Sequence, residues 1–154
     1  MKKTLAILFT IAFCCFCWLI YHATGTRFNG HAATPKDIPI VGERLNELVL
    51  TEPTRYHGYE HPHGGGTFTI TGVATPESVA QFCDVAGVSL SHDGTDVWDR
   101  DKILDSFEQL DTGIADEQSC DVMFGMGGRF RIVLGIYDMQ SHRFVLDIHF
   151  DSRK

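Results

Sequence analysis

Four side chains of the kind that binds metal ions lie within seven consecutive residues of this chain. They are His57, Glu60, His61 and His63. Neutral imidazole is a good ligand for copper, zinc and nickel, and a carboxylate adds negative charge to such a site. Pro62 and the glycines after it are incompatible with a helix, so the four groups would have to surround the ion from a loop. The pattern predicts a Cu or Zn site, and the alternative is a flexible polar loop without a metal.

The end of this loop, Pro62-His63-Gly64-Gly65-Gly66, resembles the core of the copper-binding octapeptide repeat of prion proteins. The resemblance implies Cu(II) bound by the His63 ring and by the amide nitrogens of the glycines. It covers five residues and occurs once, and Thr67 stands where the repeat has a tryptophan. The resemblance therefore concerns the loop alone and implies no fold.

A second group of polar side chains lies near the C terminus, in segments where apolar and polar residues alternate. The alternation over residues 130–136 and 144–150 predicts an antiparallel hairpin with one buried face. The residues expected on its other face are Arg131, Val133, Tyr137, Val145, Asp147 and His149. An apolar strip between charged groups is typical of an interaction surface, although the same face could be a solvated surface. Asp147 and His149, with Asp151 nearby, could also form an acid–base site, but no complete catalytic set is recognisable.

The N terminus determines where these groups would work. Lys2 and Lys3 precede an apolar run over residues 5–21 in which Thr10 is the only polar residue. Such a run predicts a transmembrane anchor or a signal peptide over residues 1–21. Its aromatic outer end favours an uncleaved anchor, whereas Ala23-Thr24-Gly25 permits cleavage after Gly25. We therefore expect the C-terminal part outside the cytoplasmic membrane, or secreted or periplasmic if the segment is cleaved.

Composition limits the remaining possibilities. The chain has 154 residues and a formal charge of −7, which argues against a nucleic-acid partner because phosphates would be repelled. Residues 22–43 contain glycine and proline without apolar periodicity and predict a linker. Residues 44–154 are then one small domain. Cys83 and Cys120 are the only cysteines beyond the N-terminal run, so in an exported domain they predict one disulfide, or else two buried thiols.

The pattern of elements predicts the fold class. Residues 67–73 alternate like a strand, and a helix should follow between Thr75 as N-cap and Gly87 as stop. A second apolar stripe predicts a helix over residues 97–110, capped by Asp96. With the C-terminal hairpin this makes a two-layer α+β domain, in which a short antiparallel sheet carries both helices on one face.

Three functions are compatible with these features. The first is a membrane-tethered or exported, non-enzymatic binding or accessory domain for an unidentified protein partner. The second is an extracytoplasmic Cu- or Zn-binding protein that uses the histidine-rich loop. The third is a small enzyme whose catalytic groups form no recognisable motif.

Overall fold

The computed structural model describes residues 2–94 and 98–151, and the side chains of residues 10–20, 24–94 and 98–151. Within these residues seven strands form one antiparallel sheet in the order β1-β2-β3-β7-β6-β5-β4. The strands are β1 (Thr26–Ala32), β2 (Thr54–Glu60), β3 (Gly66–Val73), β4 (Ser89–Ser91), β5 (Asp121–Met126), β6 (Ile132–Tyr137) and β7 (Arg143–Phe150). The α-helices are α1 (Lys2–Ala23), α2 (Pro76–Ala86) and α3 (Arg100–Asp105). Short 3₁₀ turns lie at Pro35–Asp37, Gly42–Leu45 and Glu117–Ser119.

Two apolar cores lie on opposite faces of this sheet. The first core joins α2 and residues 38–48 to side chains from β3, β5, β6 and β7. The second core is smaller and joins α3 to β5, β6 and a single residue of β7, Val145. Strands β1, β2 and β3 contribute no residue to the second core. The sheet is therefore covered on both faces over β5 and β6, but on one face only over β1 to β3.

Helix α2 confirms the local signals that predicted it. The Thr75 hydroxyl accepts a hydrogen bond from the Ser78 amide, and Gly87 ends the helix in the left-handed conformation at φ 69°. The stripe Val79, Phe82, Cys83 and Ala86 is buried in the first core. Full burial of a side chain such as that of Val79 or Phe82 contributes roughly 1.5–3 kcal/mol. The stripe therefore orients the helix on the sheet.

The predicted fold class is wrong in two respects. The sheet is not short, because it has seven strands. The two helices do not share a face: Phe82 of α2 packs in the first core, whereas Ile103 of α3 packs in the second. Helix α3 begins at Arg100 with Asp99 as its N-cap, while the predicted cap Asp96 lies outside the described residues. Both helices have an apolar stripe, and a stripe alone does not specify which face of a sheet it covers.

Residues 22–43 are more than a linker, because they contain β1. Phe28 stacks on Phe68 with ring centroids 5.6 Å apart, directly over Gly58, whose missing side chain makes room for the rings. The Tyr59 hydroxyl accepts a hydrogen bond from the amide of Gly25 at 3.1 Å. These contacts to distant residues hold β1 on the sheet, although its own sequence has little strand character.

The predicted disulfide is absent. Cys83 and Cys120 are both buried and both free. Cys83 packs in the first core and Cys120 in the second, so the sheet lies between the two thiols. Because a disulfide requires Cα atoms within about 7 Å, residues on opposite faces of a sheet at these positions are not paired. The alternative interpretation, two separate buried thiols, is the correct one.

The expected membrane anchor is also wrong. None of the described helices is both long enough and apolar enough to cross a membrane. The predicted location in the cytoplasmic membrane depended on this anchor and is corrected with it, whereas cleavage after Gly25 stays a prediction.

Candidate functional site

The uncovered half of the sheet presents a polar surface, which we call the open face. Phe28, Tyr56 and Phe68 pack on the first core, so the alternate residues of their strands point the other way. The open face consists of Arg27, Asn29, His31, Arg55, His57, Tyr59, Thr67, Thr69, Thr71, Asp147 and His149. Its members on β1 and β2 are exposed except for the half-buried Tyr59, and the three threonines of β3 are half-buried.

The charges on the open face are unevenly distributed. The parts of β1, β2 and β3 that face this way carry Arg27, Arg55, His31 and His57 and no carboxylate. Asp147 on β7 is the only acidic member. The surface therefore has an excess of positive groups, whereas the whole chain has a formal charge of −7.

Asp147 and His149 form an ion pair where β7 borders the open face. The distance from Nε2 of His149 to Oδ2 of Asp147 is 3.4 Å, and the Thr69 hydroxyl donates to Oδ1 of Asp147 at 3.3 Å. Both partners of the pair are about one-third exposed, at 38% and 30%. In the described part of the chain no hydroxyl or thiol donates a hydrogen bond to His149. The pair orders the strand surface but has no adjacent nucleophile.

The structure distributes the four predicted metal ligands over different surroundings. His57 lies on the open face opposite Thr69, whereas Glu60 alternates to the other face of β2. His61 begins the turn to β3, where its ring meets the Tyr59 ring edge-on at 4.7 Å. His63 is exposed in the same turn. Across residues 2–94 and 98–151 no three His, Cys, Asp or Glu residues are grouped to hold a metal ion, and the Cu or Zn site stays a prediction.

The predicted interaction face is divided between the two sides of the sheet. Val133 and Tyr137 are buried in the first core, and Val145 is buried in the second. Asp147 and His149 alone belong to the open face. The cause is the register of β6, which pairs Val133 with Ile148 and so places both on the first-core side.

Arg131, the remaining member of that set, lies at the end of the sheet. It is exposed, and its amide donates to the carbonyl of His149 at 2.9 Å. A cavity of about 130 Å³ there is lined by Arg131, His149, His61 and Asp151. The cavity thus joins His61, a predicted metal ligand, to Arg131 and His149 of the predicted interaction face.

Two further cavities open at the other end of the open face. These two cavities of about 200 Å³ each share Arg55, Thr71 and Asp111, and we call the combined depression the cleft. The charged and ionisable side chains that line it are His31, Glu52, Arg55, His57, Asp111 and Arg143. Leu110 adds apolar surface to the lining.

Sequence reasoning missed the cleft, because its residues come from five separate segments of the chain. Arg55 and Thr71 are cross-strand partners, but Asp111 follows α3 and Arg143 begins β7. The one available signal was the alternation of Thr67, Thr69 and Thr71, which marks a polar face on a strand. Asp111 and Arg143 have no such signal.

Comparison of this chain with protein-family models, with curated proteins and with solved structures gives no match.

Proposed function

We propose that this protein is a non-enzymatic binding domain and that it engages an acidic segment of a protein partner through the open face. The observation that carries the proposal is the charge of the three uncovered strands. On the open face these strands carry two arginines, two histidines and no carboxylate, whereas the whole chain has a formal charge of −7.

The arrangement of the arginines supports binding rather than stabilisation of the fold. Arg27 and Arg55 are exposed, and neither side chain forms a hydrogen bond or ion pair with another described residue. By contrast, Arg129 donates to Glu47 at 2.6 Å, and Arg100 donates to three backbone carbonyls. Unneutralised guanidinium groups on an open surface attract carboxylates and increase the association rate of acidic partners.

The shape of the open face suits a polypeptide. Threonine hydroxyls at every second position of β3 provide donors and acceptors at a spacing of about 7 Å, which matches alternate residues of an extended chain. The Asp147–His149 pair lies at the border and lacks a neighbouring nucleophile. Binding therefore accounts for the open face better than acid–base catalysis does.

The test uses a fluorescent oligoglutamate peptide and measures its anisotropy against increasing protein. We expect binding that weakens with added salt, as is usual for exposed charges. Arg27→Glu should weaken it by about fivefold or more, the equivalent of roughly 1 kcal/mol. Lys36→Glu is the matched control, because Lys36 is exposed on the 3₁₀ turn that leads into the first core, away from the open face.

Lys36→Glu should change the affinity little, although it alters the net charge equally. Equal losses in the two variants would attribute the binding to net charge rather than to the open face and would contradict the proposal. Absence of any binding by the oligoglutamate peptide at low salt would contradict it as well.

A further inference from the structure

The cleft has a feature that the binding of an acidic segment does not explain: it presents opposite charges that do not neutralise one another. Arg55 and Arg143 line the cavity that Glu52 and Asp111 also line. Among the described residues none of these four side chains forms an ion pair or a side-chain hydrogen bond. Solvent-accessible charges of opposite sign that share a cavity without pairing are complementary to a ligand that carries both charges.

We infer that the cleft binds a small zwitterion of the free α-amino acid class. The ligand's carboxylate would pair with the guanidinium groups of Arg55 and Arg143, whose N–H groups donate to a carboxylate in a forked geometry. Its ammonium group would donate to the carboxylate of Asp111, which lines both cavities. A peptide terminus would satisfy only one of the two charges.

The size of the cleft agrees with a ligand of this class. Each of its two cavities measures about 200 Å³, below the roughly 300–1,000 Å³ of sites for drug-sized molecules. The cavity that contains Glu52 and Arg143 would hold the charged end. The neighbouring cavity has a largely apolar lining to which Leu110, 42% exposed, contributes, so the ligand's side chain would be apolar.

A glycine shapes the charged end of the cleft. Gly113 has a φ of 66°, and a side chain there would place its Cβ 3.2 Å from Nη1 of Arg143. A residue other than glycine would be strained at this φ and would crowd the guanidinium group. Gly113 therefore lets residues 111–113 lie beside Arg143, so that Asp111 and Arg143 line the same cavity.

The test compares three ligands by calorimetry and by chemical-shift changes in the NMR spectrum of the protein. Leucine carries both charges, N-acetyl-leucine only the carboxylate, and leucinamide only the ammonium group. We expect leucine to bind about tenfold more tightly than either analogue, because it makes one more charge-assisted interaction. Equal affinity for leucine and either analogue, or no binding of leucine at millimolar concentration, would overturn the inference.

Two variants assign the charges to residues. Asp111→Asn should reduce the affinity for leucine to that for N-acetyl-leucine, and Arg143→Gln should reduce it to that for leucinamide. Lys36→Gln, an exposed change outside the cleft, should leave all three affinities unaltered. Thermal unfolding of each variant verifies that it is folded. A folded Asp111→Asn protein that keeps the full preference for leucine would also overturn the inference.

Because Arg27 does not line the cleft, Arg27→Glu should leave leucine binding unchanged. The oligoglutamate and leucine experiments can therefore fail independently.

Discussion

Two buried threonines differ in whether their hydroxyl groups are hydrogen-bonded. Thr54 is fully buried, and its Oγ1 has no partner among the described residues. The Thr112 hydroxyl donates to Glu117 at 2.6 Å and accepts from the amide of Ile114. Because an unpaired buried hydroxyl is unfavourable, Thr54→Val, which keeps the shape, should raise the free energy of unfolding by about 1 kcal/mol.

Thr112→Val is the matched control and should lower the free energy of unfolding by about 1–2 kcal/mol, because it removes a satisfied hydrogen-bonding group. Urea denaturation followed by circular dichroism measures both changes. A destabilised Thr54→Val protein would show that its hydroxyl has a partner.

At the residue scale, the sequence predicts what depends on near neighbours. The cap of α2 at Thr75 and its stop at Gly87 involve residues within a few positions, so their types were sufficient. The ion pair between Glu47 and Arg129 joins residues 82 positions apart, and no pattern in either segment predicts it. The hydrogen bond from Arg129 lowers the pKa of Glu47. A shifted pKa is often a sign of a functional site, but here its cause is a structural contact.

At the element scale, strands buried on both faces were the least predictable. Strand β6 contributes Val133 and Tyr137 to the first core and Leu134 and Ile136 to the second, so its sequence has no polar side. Without that side the alternation does not determine which residues face which core, and a shift of one residue exchanges them. Strand β7, with Asp147 and His149 on one face, keeps a readable alternation.

The burial of Val133 on β6 can be tested by substitution. Val133 is 2% exposed, so Val133→Asp would bury a carboxylate in the first core and should destabilise the protein by about 3 kcal/mol or more. Arg131→Asp is the control, because Arg131 is exposed and only its backbone amide bonds to β7. It should change the free energy of unfolding by less than about 0.5 kcal/mol. If Val133→Asp were tolerated, the burial of Val133 in the first core would be contradicted.

At the scale of the whole molecule, three buried groups that lose a proton in alkali make stability depend on pH. Burial raises the pKa of Cys83 to about 12 and that of Cys120 to about 11, both from an ordinary 9.0. Burial, with smaller contributions from nearby carboxylates, raises the pKa of Tyr137 to about 12 from 10.0. Two of these groups lie in the first core and one in the second, so the packing of both cores affects stability over the same alkaline pH range.

The sign of the effect follows from the folded pKa values being higher than the unfolded ones. Below pH 9 all three groups are protonated in both states, and their contribution to stability is complete. Above pH 9 the unfolded chain loses protons that the folded protein retains, so the free energy of unfolding should fall as pH rises, until about pH 12. Guanidinium denaturation at intervals between pH 8 and pH 11 measures this decrease.

Tyr137→Phe separates the tyrosine from the thiols. The variant loses the hydrogen bond to the Ala74 carbonyl, 3.2 Å long, and should be about 1 kcal/mol less stable than the original protein at pH 8. It has no hydroxyl to ionise, so its stability should fall less steeply than that of the original protein above pH 10. If the two proteins lost stability in parallel up to pH 11, the burial of Tyr137 would not be the cause, and the first core would be more open to water than the structure shows.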